Sequence, residues 1–157
     1  MHSVYLGLGS NLGDRAANLR QAAKALTPKA TVLAKSAAYE TPPWGVKDQP
    51  AFLNMAVKVA TELTPMELRD YVKGIEVALG RERSYHWGPR VIDIDILFYD
   101  DLIMDEPELV IPHPRLHERG FVLVPLESIA GDFVHPVLGR SIRELLQHVD
   151  TSGIVPA

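Results

Sequence analysis

Apolar side chains recur along this chain with two different periods, and the switches between them set out its elements. Val4 to Leu8 is a short apolar run closed by Gly7, Gly9, Ser10 and Asn11, which predicts a strand running into a turn. Asp14 then stands as an N-cap, Leu19, Ala22, Ala23 and Leu26 fall on one helical face, and Pro28 stops the helix. Thr31 to Glu40 predicts a second strand. Phe52 to Thr61 alternates as a third, with Leu53, Met55, Val57 and Val59 on one face and Phe52 and Asn54 on the other. Thr64 as N-cap, Pro65 at the first helical position and Glu67 closing a capping box open a second helix. Its stripe is Leu68, Val72, Ile75 and Leu79, and Gly80 ends it.

The run that organises the rest is Trp87 to Phe98, a buried-strand pattern with two carboxylates set into it. Strand side chains alternate, so Asp93 and Asp95 project to one side, roughly 7 Å apart at Cα, together with Val91 and Leu97. Ile92, Ile94, Ile96 and Phe98 are expected on the other. Two carboxylates side by side on a half-buried face repel one another and lose hydration. A divalent cation resolves both problems, and Mg²⁺ is commonly held by one or two carboxylates plus phosphate oxygens. Arg90 just upstream offers a planar fork suited to phosphate. The bland alternative is an exposed sheet face on which the aspartates pair with arginines.

Around this strand lie two long connections. Thr41 to Pro50 holds three prolines and is too long for a hairpin turn. Arg81 to Trp87 is polar and irregular, and Arg81, Arg83 and Arg90 bracket it as a possible clamp for a polyanion. Glu76 sits at the edge of the second helical stripe, where most glutamates are surface residues. Downstream, Asp100 and Asp101 read as a turn and Val110 to Pro114 as an extended piece. His113 and His117 have helical metal-ligand spacing, but Pro114 disfavours helix at His113, which speaks against a zinc pair. The run Phe121 to Leu126 fits neither period. Ser141 and Glu144 form a capping box for a last helix burying Ile142, Leu145, Leu146 and Val149, and the tail from Thr151 is expected to fray.

The order strand, helix, strand, strand, helix, strand predicts an α/β (α+β) fold with a ferredoxin-like core. At 157 residues and 17.4 kDa one domain, 1–157, is expected. A net charge of −4 provides no general basic field for nucleic acid, and zero cysteines exclude disulfides and thiol chemistry. The start of the chain shows no basic region, apolar stretch and cleavage site, and no apolar run has the length of a membrane span, so a cytoplasmic location is expected. The glycines near the start do not match a dinucleotide or P-loop fingerprint, so turn formation is their default role.

An ordered set of short motifs covers residues 4 to 148: Gly9-Ser10-Asn11-Leu12, Thr41-Pro42-Pro43, Asp48-Gln49-Pro50, Phe52-Leu53-Asn54, Gly80-Arg81, Trp87-Gly88-Pro89-Arg90, Asp93-Ile94-Asp95, and Pro112-His113 with Arg119-Gly120-Phe121. In this set the chain resembles the 6-hydroxymethyl-7,8-dihydropterin pyrophosphokinases of the folate pathway. The resemblance implies a three-layer α/β/α sandwich and Mg²⁺-dependent pyrophosphoryl transfer from ATP to a pterin alcohol. It implies that Asp93 and Asp95 hold two Mg²⁺ ions and act with Arg81 and Arg90 in catalysis. Thr41, Pro42, Pro43, Trp44 and Asn54 would line the pterin pocket, with Phe52 and Phe121 sandwiching the ring. Glu76, Arg83, Trp87, Ile96, His113 and Arg119 would form the ATP side. A monomer without nucleic-acid or membrane partners is implied too. Phe52 stands where many members carry Tyr, which keeps the stacking and removes a hydroxyl contact. The Gly80 to Trp87 loop is one residue shorter than in some members, with His86 before the Trp, and Glu108 and Pro114 also differ from some relatives.

Two rivals use the same residues. One is a metal-dependent nuclease or ordinary phosphotransferase built on the two aspartates. The other is a ferredoxin-like nucleic-acid-binding module in which Arg83, Trp87 and Arg90 contact backbone and bases. The negative charge and the sheet aspartates count against the module, because a like-charged face repels phosphates unless metal intervenes.

Overall fold

The computed structural model describes residues 1–42, 50–80 and 91–157. Strand β1 (His2–Ser10) lies between β4 (Phe52–Thr61) and β5 (Asp93–Tyr99), antiparallel to both. The outer side of β4 is shared by β2 (Ala30–Lys35) and β3 (Tyr39–Thr41). Counting β2 and β3 as one interrupted strand, the order across the sheet is fourth, first, third, second, the ferredoxin-like arrangement. Helices α1 (Arg15–Ala25) and α2 (Pro65–Ala78) cover one face. The other is covered by α3 (Gly120–Ala130) and α4 (Ile142–Leu146), which completes the three-layer sandwich.

Two cores follow from strand alternation. The first joins Leu6, Leu8, Val57, Val59, Ile94 and Ile96 to Leu19 and Leu26 of α1 and Leu68, Val72 and Ile75 of α2. Each fully buried aliphatic side chain of this kind stabilises the fold by ~1.5–3 kcal/mol. The second joins Tyr5, Ala56, Leu97 and Phe98 to Leu123, Leu126, Ile142 and Leu145. Both predicted capping boxes form: Thr64 Oγ1 accepts from Glu67 N–H at 3.2 Å while Glu67 accepts from Thr64 N–H at 2.9 Å, and Ser141 and Glu144 repeat the exchange. Asp14 caps α1 by accepting from Ala17 N–H.

Several expectations are corrected. Phe98 does not share a face with Ile92, Ile94 and Ile96. The pairing runs Leu6↔Ile96 and then Tyr5↔Phe98, so Leu97 is an extra residue; Leu97 keeps the face of the aspartates and the bulge turns Phe98 onto it as well, placing both in the second core. The predicted strand 31–40 is broken at Ser36, whose Oγ accepts from Ala56 N–H at 2.8 Å in place of a backbone carbonyl. Gly7 and Gly9 lie inside β1 rather than in a turn. Phe121 to Leu126 is helical; α3 is apolar nearly all round because it lies inside the second core, and Pro125 further masks its period. Short strands β6 (Met104–Glu106) and β7 (Leu109–Ile111) form a hairpin that the sequence did not announce. The tail does not fray: β8 (Val155–Pro156) pairs with β3. Among the described residues no helix is long and apolar enough to cross a membrane.

The capping box of α2 gives a direct check on this frame. Thr64→Ala removes the acceptor for Glu67 N–H, and the expected loss is ~1 kcal/mol by urea denaturation, largely restored in Thr64→Ser.

Candidate active site

Cross-strand partners share a face of the sheet, so the register alone assembles a site. One row reads Asn54, Gly9, Asp93 from β4 through β1 to β5; the next reads Ala56, Gly7, Asp95. The centre of both rows is glycine, so no side chain of β1 stands on the floor between an amide on one side and two carboxylates on the other. The space over Gly9 is already used: a Cβ there would lie 2.5 Å from Asn54 Oδ1. Over Gly7 the nearest atoms among the described residues are the Leu97 methyls, at 3.6 Å.

On the β4 side, Asn54 Nδ2 donates to Thr41 Oγ1 at 2.7 Å, and the two residues are 9% and 1% exposed. That bond fixes the carboxamide and leaves Oδ1 turned over the floor as an acceptor. Phe52 shares this face, its ring edge 3.5 Å from where a Gly9 Cβ would be. Pro42 follows Thr41 and is exposed.

On the β5 side, burial and the neighbouring charge of Asp93 push the Asp95 carboxyl up to about 8 from 3.8, against the opposing pull of Arg119. Glu76 is 1% exposed, with Lys73 Nζ 3.9 Å from its carboxylate. It accepts from Ile94 N–H at 2.8 Å, on the edge of β5 turned away from β1. The glutamate thus fastens, from the α2 side, the strand that carries both aspartates, an internal role that helix periodicity did not reveal. Ile96 points the other way: its side chain lies in the first core, leaving only its backbone on that strand edge.

The approach to α3 supplies the remaining groups. Arg119 precedes the helix, with its guanidinium carbon 5.5 Å from the centre of the Phe121 ring. Burial lowers its pKa, while Asp95 and Asp93 favour its charged form. His113 is held by its backbone N–H to the Leu97 carbonyl at 3.0 Å. Burial, then the charge of Arg119, drives its imidazole down to about 4, so it is neutral at ordinary pH. Arg115 N–H donates to its Nδ1 at 3.4 Å, which assigns the ring proton to Nε2. His117 is placed elsewhere, lining a cavity with Arg140 and His148, so the histidines make no pair.

The sequence-predicted residues Thr41, Phe52, Asn54, Asp93 and Asp95 therefore meet around one glycine floor, with Arg119 electrostatically coupled to both aspartates and beside the Phe121 ring. Pro43, Trp44, Arg81, Arg83, Trp87 and Arg90 lie outside the described residues. Gly7 and Gly9, whose default reading from the sequence was turn formation with a smaller functional chance, lie instead inside β1 at the centre of this face. Their signal was a spacing of two within an apolar run, which puts both on the face shared with Asn54 and the aspartates.

A paired substitution tests the floor. Gly9→Ala must displace Asn54 and break its bond to Thr41, costing ~1–3 kcal/mol, whereas Gly7→Ala meets ordinary contacts and stays within ~0.5 kcal/mol by denaturant titration. The charge arrangement sets a pH dependence as well. With a folded pKa above its unfolded value, Asp95 contributes stability that is present below about pH 4 and lost as pH rises through about 8. Melting in chelator should therefore show Asp95→Asn gaining on the unsubstituted protein as pH rises through that window.

The chain resembles known proteins over nearly its whole length. The family model of 7,8-dihydro-6-hydroxymethylpterin-pyrophosphokinase (HPPK) matches residues 5–131. A Methylorubrum extorquens protein named 2-amino-4-hydroxy-6-hydroxymethyldihydropteridine pyrophosphokinase is 53% identical over 156 residues, 98% of each chain. An Aquifex aeolicus protein of the same name is 40% identical over 144 residues, 92% of this chain and 90% of that one. Wild-type Plasmodium falciparum HPPK-DHPS shares the fold, with a TM-score of 0.73 at 19% identity over 93% of this chain and 44% of that longer one. The glycine floor and its flanking carboxylates thus belong to a chain that is a member of the HPPK family.

Proposed function

We propose that the protein transfers a pyrophosphoryl group from ATP to the hydroxymethyl oxygen of 6-hydroxymethyl-7,8-dihydropterin, releasing AMP, with Mg²⁺ required. The observation that carries this reading is the pair Asp93 and Asp95 on one half-buried face, across a glycine floor from the fixed Asn54 carboxamide. The donor set fits a hard cation. Among the described residues no three metal-ligating side chains cluster, and two carboxylates suit an ion that keeps water and phosphate oxygens for its other positions. Asp95 is shifted upward by burial first and by Asp93 second, and a cation held at the pair would oppose both.

Asp93 and Asp95 would hold Mg²⁺, which when bound would supply positive charge to offset the negative charge that develops on the phosphates during transfer. The chain's own residues position and hold. Asn54 Oδ1 accepts from the amino edge of the pterin, Thr41 keeps that amide oriented, and Phe52 and Phe121 stack on the ring. Arg119 adds a fixed positive charge on the phosphate side, and neutral His113 offers Nε2–H as a donor without adding charge. The pterin oxygen attacks the β-phosphorus, the bond from that phosphorus to the α-phosphate oxygen breaks, AMP departs, and the alcohol proton passes to solvent. Positioning and electrostatics supply most of such a reaction's acceleration. Arg81, Arg83, Trp87 and Arg90 are assigned to the phosphates and Pro43 and Trp44 to the pterin side, on the family motifs alone. In this reading the protein works as a single-domain monomer in the cytoplasm, without nucleic-acid or membrane partners.

Phosphorus NMR of purified protein with ATP, Mg²⁺ and the pterin tests the reaction directly. AMP should form only when both pterin and metal are present; ADP would identify single phosphoryl transfer and contradict the proposal. Asp95→Ala should lower turnover about 10³-fold or more, roughly 4 kcal/mol of transition-state stabilisation, in a protein that still melts cooperatively.

A further inference from the structure

The chain beyond α4 folds back against the site. Asp150 Oδ1 accepts from Ser152 N–H at 2.9 Å and from its hydroxyl at 2.5 Å, and Ile154 N–H donates to the Thr151 carbonyl at 3.2 Å. Gly153, the third residue of this turn, has φ +79°, a conformation that glycine adopts at little cost. The reversal sends Val155 and Pro156 alongside Glu40 and Tyr39, and Ala157 N–H donates to the Ala38 carbonyl at 3.0 Å.

Two close approaches show how tightly this segment is seated. A Cβ on Gly120 would lie 2.7 Å from the Asp150 carbonyl oxygen and 3.0 Å from Ile154 Cδ1. One on Gly153 would lie 3.0 Å from Pro42 Cγ. Gly120 stands between Arg119 and Phe121 at the start of α3, and Pro42 directly follows Thr41. The tail is therefore in contact with the start of α3, which carries Phe121, and with the end of β3, which carries Thr41; in the proposed reading these are the two sides of the pterin. Nothing else in β8 accounts for its path: Val155 and Pro156 are exposed and contribute little to either core. Among the described residues, β3 pairs with β4 on one side and β8 on the other.

We propose that residues 150–157 are a positioning element for the pterin, setting the separation between the Phe121 wall and the wall made by Thr41, Phe52 and Asn54. The proposal rests on the pterin pyrophosphokinase reading. A small displacement of one ring wall weakens stacking on a flat ligand strongly, while Asp93 and Asp95 are carried on β5, away from the tail's contacts at Gly120 and Pro42. The segment thereby governs affinity for the pterin first, and its influence on the nucleotide is limited to what passes through Arg119 beside Gly120.

Three variants separate this role from general stability: deletion of 151–157, Gly153→Ala, and Gly139→Ala as a control. Gly139 has φ +70° with nothing within 4 Å of its Cβ position, so it matches the backbone strain of Gly153 without the contact to Pro42. The deletion and Gly153→Ala should raise KM for the pterin about tenfold while kcat and KM for ATP stay within about twofold, and Gly139→Ala should change none of them. An unchanged pterin KM in the folded deletion overturns the proposal, as does a rise in both KM values together. If the deletion does not fold, Gly153→Ala against Gly139→Ala decides the matter. Absence of AMP from the unsubstituted protein would overturn the functional reading and this inference with it, whereas normal turnover with unaffected variants overturns the positioning role alone.

Discussion

Asp93 and Asp95 repel one another on a half-buried face, and much of the surrounding structure serves to hold them there. The cost is visible in Asp95, whose carboxyl is driven far above its ordinary range by burial first and by Asp93 second. Strand geometry makes the pairing unavoidable once the register is set, since residues two apart share a face. The register is set by the first core, where Ile94 and Ile96 are locked against α1 and α2. Glu76 adds a bond from α2 to the outer edge of β5, so the strand is fastened from both sides. In the proposed reading, a fold that maintains this repulsion gains from it on binding a cation, because both carboxylates are already in place and need little reorganisation.

The second requirement is space. Ordinary side chains at positions 7 and 9 would fill the centre of the sheet face and separate the carboxylates from the amide. Two glycines in β1 weaken that strand slightly and leave a flat floor, flanked by Asn54 on one side and the aspartates on the other. The Asn54 carboxamide, fixed by Thr41, uses part of the room above Gly9. Arg119 and Phe121, brought in at the start of α3, supply a charge and a ring that the sheet itself lacks. Membership in the HPPK family gives this arrangement its chemical setting, and in the proposed reading the face takes a flat heterocycle beside a polyphosphate.

Local signals carried much of this into the sequence. The capping boxes at Thr64 and Ser141 are short-range and unambiguous, and the alternation of β4 was readable because one of its faces is wholly apolar. The carboxylate pair was visible for the same reason. What escaped depends on partners remote in the chain. A one-residue bulge at Leu97 is decided by how β1 and β5 fit, and it reverses the face of Phe98. Ser36 breaks its strand through a bond to Ala56, twenty residues away. The glycines of β1 look like turn residues until their cross-strand neighbours are known. Helix α3 hid because its two polar side chains, Glu127 and Ser128, are adjacent in the chain and leave no polar stripe to mark a helix. The tail looked frayed because its anchor is backbone pairing to β3, which side-chain pattern does not encode. Within the site, Asn54 and the aspartates could be placed by face, whereas the placement of Glu76 against Ile94 N–H needed the packing of α2 on the edge of β5.

The measurement that bears most directly on the central claim is the titration of the Asp95 side-chain carboxyl, followed by carbon NMR in selectively labelled protein with and without Mg²⁺ and a non-hydrolysable ATP analogue. Without metal the carboxyl should titrate near 8, and metal with nucleotide should bring it down by several units, because the ion favours the charged form. An Asp95 that titrates as an ordinary surface carboxylate in both states would contradict the claim that this pair is held under electrostatic stress for a cation.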